Sequence, residues 1–449
     1  MKLVYDVESK PSMGANLVLA FQQLMAITAA TILVPAIVNG ASETPLLNQG
    51  SALMGAGFGT LVYLFFTQRK SPVFLGSSFA FISPLIGAAS FGSLGIILGA
   101  VFAGGVYVVI ALIIKMVGTD WVNKLMPPVI IGPTVALIGL SLCGTAINDV
   151  NGGSSGGYNL VKILVGIITF FIIVYCSAKG NQTMQLYPFI FGMLGGYIIA
   201  SIFTAIGNAT GNDYLKIVDY SALVNNFSPF SFSSIIAVPP IVALNAASEG
   251  AAIDGTAIAS LFVLFAPVAF VVFAEHIADH KNLSSVIGRD LIKEPGLTRT
   301  LLGDGVGSIV GSLFGGCPNT TYGESVGCVA ITGCASTHTI TTAGIMAIVL
   351  SLCAPFVAFI NTLPGCVMGG ACVALYGFIA VSGLKMLAKV DLGQNENLYV
   401  VSAILVTGVG GLVLTFGAVE LSAIATALIV GIITRAIVGN AKDAPGGDG

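Results

Sequence analysis

The chain has 449 residues, 55% of them hydrophobic and only 8% charged, with a net charge of −3 and a mean hydropathy of +0.97. An ordinary soluble domain carries about 25% charged residues, and a soluble exterior has no room for this much apolar surface. The small net charge argues against nucleic acid or any strongly charged partner, so the composition leaves a membrane-embedded bundle.

A helical span needs about 20 apolar residues, which gives this length room for roughly fourteen spans. No cleavable signal peptide is expected, because the N-terminus is polar to about Met13 and the apolar run after it is long enough to span. The first half reads as spans over 15–39, 50–67, 94–117, 127–147, 159–177 and 185–207. A polar connection over 208–250 predicts a surface loop or a short amphipathic helix. The second half reads as spans over 255–280, 300–316, 338–361, 365–388, 397–416 and 418–437. The eight cysteines lie in or beside apolar stretches and form no CxxC pair, which predicts reduced packing residues.

Two further segments, 76–92 and 319–335, are apolar but rich in Ser, Thr, Gly and Asn. The first contains Leu75-Gly76-Ser77-Ser78-Phe79-Ala80-Phe81, the second Pro318-Asn319-Thr320-Thr321-Tyr322-Gly323-Glu324-Ser325. Non-helical backbone survives at membrane depth only where protein or a watery cavity covers it. Interrupted segments at matching places in two halves point to a transporter's binding site. A glycine- and serine-rich packing interface is the plainer reading, but it leaves the carboxylate of Glu324 unexplained.

Basic residues test the span count. With a cytoplasmic N-terminus and both irregular segments crossing, fifteen of the 17 basic residues fall inside: Lys2, Lys10, Arg69, Lys70, Lys115, Lys124, Lys179, Lys281, Arg289, Lys293, Arg299, Lys385, Lys389, Arg435 and Lys442. Only Lys162 and Lys216 fall outside. Such a bias sets orientation, and removing one irregular segment would spoil it. Both termini are therefore expected in the cytoplasm.

The span 255–280 ends in VVFAEHIADHK. Glu275 and Asp279 stand at i and i+4 and share one helix face. Ionisable groups at membrane depth are costly and usually mark a substrate or proton path. Two carboxylates this close in a low dielectric repel, which favours a shared proton and makes the pair a candidate proton carrier. His276, His280 and Lys281 are expected to meet water at the helix end. The two histidines imitate a zinc ligand pair, but the sequence is not HExxH and the third histidine, His338, lies two spans away. No metal site and no nucleophile–base set are expected, which argues against a membrane enzyme.

These residues carry a family resemblance. From QQLMAITAATILVP through LGSSFAFISP and AEHIADH to NTTYGESVG and VMGGACVALYG, the chain resembles the nucleobase–cation symporters, within them most of all the bacterial uracil permeases. The family signature is matched by Glu324-Ser325-Val326-Gly327-x4-Thr332-Gly333, except that Ser325 stands where Asn is usual. The resemblance implies an all-α membrane protein of about 14 transmembrane segments in two inverted seven-span repeats, with two short strands in interrupted spans 3 and 10. It implies a core domain over 1–120 and 251–362 and a gate domain over 121–250 and 363–449. By position it implies a substrate site of Ala30, Phe79, Glu275, Tyr322, Gly323, Glu324 and Tyr376, and a homodimer through the gate.

The implied activity is proton-coupled nucleobase import across the cytoplasmic membrane by alternating access, most of all of uracil, without a cofactor. Uracil offers two N–H donors and two carbonyl acceptors. Glu275 and Glu324 suit the N–H groups, while backbone N–H groups at Phe79 and Gly323 suit the carbonyls. Two residues depart from the uracil permeases: Asp279 stands where His is usual, as in the purine-transporting branch, and Gln23 stands where His is common. The alternatives are a xanthine or purine symporter, an uncoupled facilitator or channel, and sodium in place of the proton.

Overall fold

The computed structural model describes residues 3–42, 46–152, 158–249, 253–388, 390–416 and 419–439. Of the basic residues counted above, Lys2, Lys389 and Lys442 lie outside the described residues, as do the expected boundary at 250–251 and the tail from 440.

The apolar runs become helices, and the polar and glycine punctuation becomes their ends. In the first half, α1 (Met13–Ala41) and α2 (Gln49–Phe66) precede a strand β1 (Leu75–Ser77), a turn over Phe79–Phe81 and a short helix α3 (Ile82–Ala89). Then come α4 (Gly92–Val117), a short α5 (Asp120–Leu125), α6 (Pro128–Ser141), α7 (Cys143–Val150), α8 (Leu160–Lys179), a short α9 (Gln182–Leu186) and α10 (Pro188–Thr210). The polar connection holds α11 (Ser221–Phe227) and α12 (Val242–Glu249).

In the second half, α13 (Gly255–Ile287) and α14 (Leu297–Gly315) precede a strand β2 (Asn319–Thr321) and a short helix α15 (Gly323–Thr332). Next are α16 (Thr337–Ser351), α17 (Ala354–Ile360), α18 (Gly365–Leu387) and α19 (Asn395–Val409). Strands β3 (Leu414–Phe416) and β4 (Val419–Leu421) lead to α20 (Ala423–Val438). Among the described residues, eight helical stretches suffice by length and apolarity to cross a membrane, with α6 and α7 counted together as one. The protein is thus an all-α multi-pass membrane fold interrupted by short strands.

Caps explain several boundaries. The Asn48 side chain accepts from Ser51 N at 3.1 Å at the start of α2, and Asp254 accepts from Ala257 N at 2.7 Å at the start of α13. The latter helix runs seven residues past the expected end at 280 and stops at Gly288, which is left-handed (φ +69°). The expected span 338–361 breaks between α16 and α17. The apolar run 397–416 also differs from the expectation: α19 stops at Val409, Gly411 adopts φ +72°, and β3 pairs antiparallel with β4 before α20 begins.

The interior is built by like elements meeting. α2 lies along α14, and α6 lies along α18. The α2–α14 approach is close enough that a side chain on Gly55 would meet the Gly311 carbonyl oxygen at 2.3 Å. Small residues are what let two backbones come together in this way. Strands β1 and β2 pair antiparallel, Leu75 with Thr321 and Ser77 with Asn319, so the two irregular segments meet inside the bundle.

Hydrogen bonds gather distant segments at each end. At one end Val4 N donates to Gly333 O, Arg289 pairs with Asp6, and Lys70 pairs with Glu294 at 2.6 Å. At another, Asn159 Nδ2 donates to Tyr214 O at 2.9 Å, which sets Lys162 beside the turn that carries Lys216.

Candidate functional site between two short strands and helix α13

Antiparallel pairing of β1 with β2 fixes the site's floor. The last residue of each strand is followed by a residue in extended conformation, Ser78 or Tyr322, and then by the turn at Phe79 or the helix at Gly323. The first backbone N–H groups of a helix have no intrahelical acceptor, so α15 presents donors at Gly323 and Glu324. Helix α13 packs across the turn at Phe79, β2 and α15.

The residues singled out from the sequence are placed as follows. Gly323 and Glu324 line a crevice of about 740 Å³ between α1, α8, α10, α15 and α18. Asp279 Oδ1 lies 3.8 Å from where a Gly323 side chain would begin, and Asp279 Oδ2 accepts from Thr321 Oγ1 at 2.8 Å. Glu275, one turn earlier on α13, is half-buried, and its carboxylate makes no hydrogen bond or ion pair among the described residues. It lies within electrostatic reach of Asp279, Glu324 and Asp304. The Phe79 ring meets the Tyr376 ring edge to face at 5.6 Å, and both are buried.

Ala30 and Tyr322 are buried as Phe79 and Tyr376 are. The Tyr322 hydroxyl donates to the Ser77 carbonyl at 2.7 Å, and its ring covers Gly76, where any side chain would collide with it at 2.3 Å. Tyr322 therefore clamps one strand to the other.

His276 and His280 do not meet water at a helix end; both are fully buried. His276 Nδ1 lies 2.7 Å from Asp304 Oδ2, and its Nε2 lies 3.0 Å from Thr300 Oγ1. His280 bonds Tyr63 OH at 2.8 Å through Nε2, and Tyr63 bonds Ser71 at 2.7 Å. Only Lys281 of that group is exposed. Asp304 and Thr300 lie outside the motifs read from the sequence, and Thr321 lies within the second interrupted segment with no role assigned to it. A lone carboxylate inside the glycine-rich run Gly303-Asp304-Gly305 was the available signal, since mid-span charges need partners.

Two of the three departures from the family pattern, Gln23 and Ser325, meet each other. Gln23 Nε2 donates to Ser325 Oγ, which also accepts from Phe74 N at 3.0 Å. A short hydroxyl at 325 thus takes a long amide from 23, tying α1, the segment before β1 and α15 together. Ser325→Ala leaves the buried Phe74 N–H without an acceptor and leaves the Gln23 amide only the Ser325 carbonyl at 3.5 Å. It is expected to lower stability by about 1–3 kcal/mol, measured as a drop in thermal midpoint of the purified protein, while Ser325→Thr loses less.

Comparison with known proteins decides the family. A model of the Permease family matches residues 14–416. The uracil permease of Bacillus caldolyticus is 38% identical over 443 residues, covering 97% of this chain and 95% of that protein. The chain belongs to the nucleobase–cation symporter family. The uracil permease of Escherichia coli K12 is 34% identical over 430 residues, covering 95% and 92%. Among solved structures, the transmembrane domain of a cyanobacterial bicarbonate transporter superposes with a TM-score of 0.59 at 15% identity, covering 94% of this chain and 97% of that one. A murine Solute Carrier 26 anion transporter in the inward-facing state gives 0.61 at 12% identity, covering 96% and 69%. At such identities the likeness is one of fold alone.

Membership of this family makes the protein a transport permease and not an enzyme. Among the described residues no three His, Cys, Asp or Glu side chains are grouped to hold a metal ion, and all eight cysteines are free thiols.

Proposed function

We propose that this permease carries uracil with a proton across the cytoplasmic membrane by alternating access. One arrangement carries the reading: Phe79, Gly323 and Glu324, brought together by β1–β2 pairing, stand beside the α13 face that holds Glu275 and Asp279. Glu275 and Glu324 accept the ring N–H groups, the N–H groups of Phe79 and Gly323 donate to its carbonyls, and the Phe79–Tyr376 pair covers one apolar side. Asp279 and Glu275 share the coupling proton. High identity to uracil permeases over nearly the whole chain favours uracil. Asp279, in place of a histidine, keeps xanthine as the second reading.

The finer architecture belongs to the same proposal. Fourteen crossing segments fall into two inverted repeats, α1 to α10 and α13 to α20, with β1–α3 and β2–α15 as half-spans. Support comes from the meeting of like elements: α2 with α14, β1 with β2, α6 with α18. The core comprises residues 1–120 and 251–362, and the gate 121–250 and 363–449, through which two copies associate. Both termini are cytoplasmic, which agrees with Asp6, Lys70, Arg289 and Glu294 sharing one end and with the Asn159–Tyr214 hydrogen bond joining the segments that carry Lys162 and Lys216. The crevice reaches Ser177, Ala178 and Gln185, at the Lys179 end of α8, so on this orientation it opens inward.

The substrate is tested by competition of a nucleobase panel against radiolabelled uracil in proteoliposomes. Uracil is expected to compete best; stronger competition by xanthine would replace it as the substrate. Orientation is tested by labelling single cysteines in a Cys143→Ser background with a membrane-impermeant reagent on intact cells. A cysteine at Asn151 is expected to react and one at Lys293 to stay protected. The reverse pattern overturns the proposed topology.

A further inference from the structure

Away from the crevice, a groove of about 930 Å³ runs between α4, α5, α13 and α20. Its lining is apolar except for the indole N–H of Trp121, which has no hydrogen-bond partner among the described residues, and Phe102 on α4 meets Phe262 on α13 edge to face at 5.4 Å across one wall. That single donor is too little for water, which needs two to four polar partners, so the natural filling is hydrocarbon. The lining on α4 extends from Val101 to Ile113, about 18 Å at a rise of about 1.5 Å per residue. That is close to one leaflet of a hydrocarbon core about 30 Å thick.

One mouth of the groove is basic. Two residues beyond Ile113 stands Lys115, in the last turn of α4, and α5 carries Lys124 beside the lining residues Trp121 and Leu125. Both lysines are exposed and neither forms an ion pair among the described residues. Arg435 occupies the last turn of α20, three residues past the lining residue Ile432. Asp120 is the acidic residue of α5, so this end remains net positive. A tryptophan and lysines at the end of an apolar surface mark a headgroup level.

We propose that the groove is a binding site for an anionic phospholipid, with an acyl chain along α4 and α13 and the phosphate held by Lys115 and Lys124. A chain seated there braces α13, the helix that carries Glu275 and Asp279, against α20. Bulk lipid would fill the same groove without preference for a headgroup, and that difference is measurable.

Native mass spectrometry of the detergent-purified protein, titrated with phosphatidylglycerol or phosphatidylcholine, reads the site directly and is independent of the transported substrate. Phosphatidylglycerol is expected to be retained in preference. Retention should fall about fivefold for each lysine removed in Lys115→Ala and Lys124→Ala, while Lys179→Ala, at the end of α8, leaves it unchanged. Gly105 lines the groove, and a Cβ built on it meets nothing within 4 Å. Gly105→Phe should therefore project its ring into the groove and displace the lipid. The two lysine variants change only exposed residues, so they keep the test decisive if Gly105→Phe proves unstable. Equal retention of both lipids, or equal losses with Lys179→Ala and the mouth lysines, overturns the proposal.

Discussion

Glu324→Gln is expected to lower uracil affinity by ten- to a hundredfold while leaving the protein monodisperse and folded. Glu324 stands at the first turn of α15 and faces the crevice, not the packed interior of the bundle. As a carboxylate it accepts from a ring N–H, and a hydrogen bond to a charged group contributes about 1.5–3 kcal/mol. The amide keeps the shape but can present its NH₂ to the ring N–H, a donor facing a donor. Glu324→Asp keeps the charge on a shorter arm and should lose less. The measurement is uracil binding by calorimetry on purified variants. Unchanged binding by Glu324→Gln would remove this residue from the site.

Asp279→Asn is expected to abolish proton-driven accumulation of uracil and to flatten the pH dependence of uptake between about pH 5 and 8. Asp279 and Glu275 share a face of α13, and the Glu275 carboxylate has no hydrogen-bond or ion-pair partner among the described residues. The amide at 279 still accepts from Thr321, so the contact between α13 and β2 survives. What disappears is the second negative charge, and with it the repulsion that favours a shared proton. Exchange of labelled for unlabelled uracil at equal pH should persist, because exchange need not release the proton in each cycle. Glu275→Gln should be harsher, losing exchange as well, because it also removes an acceptor for the ring. If Asp279→Asn accumulates uracil as the parent does, with the same pH profile, Asp279 is a packing residue.

Much of this was legible in the sequence because the bilayer imposes a length rule on apolar runs. The spans from Met13 to Thr210 were found within a few residues, since each is a long run bounded by Asn, Pro, Gly or a charge. The two strand segments were legible as interruptions because Ser77, Ser78, Asn319 and Thr320 do not suit a lipid-facing helix. Their antiparallel arrangement was implied only by the family resemblance, because Gly76 and its partner Thr320 stand 244 positions apart and no local pattern records the contact. The environment of His276 and His280 also escaped. Their burial depends on Asp304, Thr300 and Tyr63 arriving from other helices, so a count along α13 alone placed them in water. The break after Val409 was hidden because Leu414, Thr415 and Phe416 suit a strand and an apolar span equally.

In the proposed mechanism an inward proton gradient carries uracil uphill through the site between β1, β2 and α13. The most direct test is uptake of radiolabelled uracil into proteoliposomes under an imposed pH difference, inside alkaline, without sodium. Accumulation above the external concentration, collapsed by a protonophore and absent with Asp279→Asn, is the predicted result. Uptake that requires sodium and ignores the protonophore, or that merely equilibrates under every gradient, would contradict it.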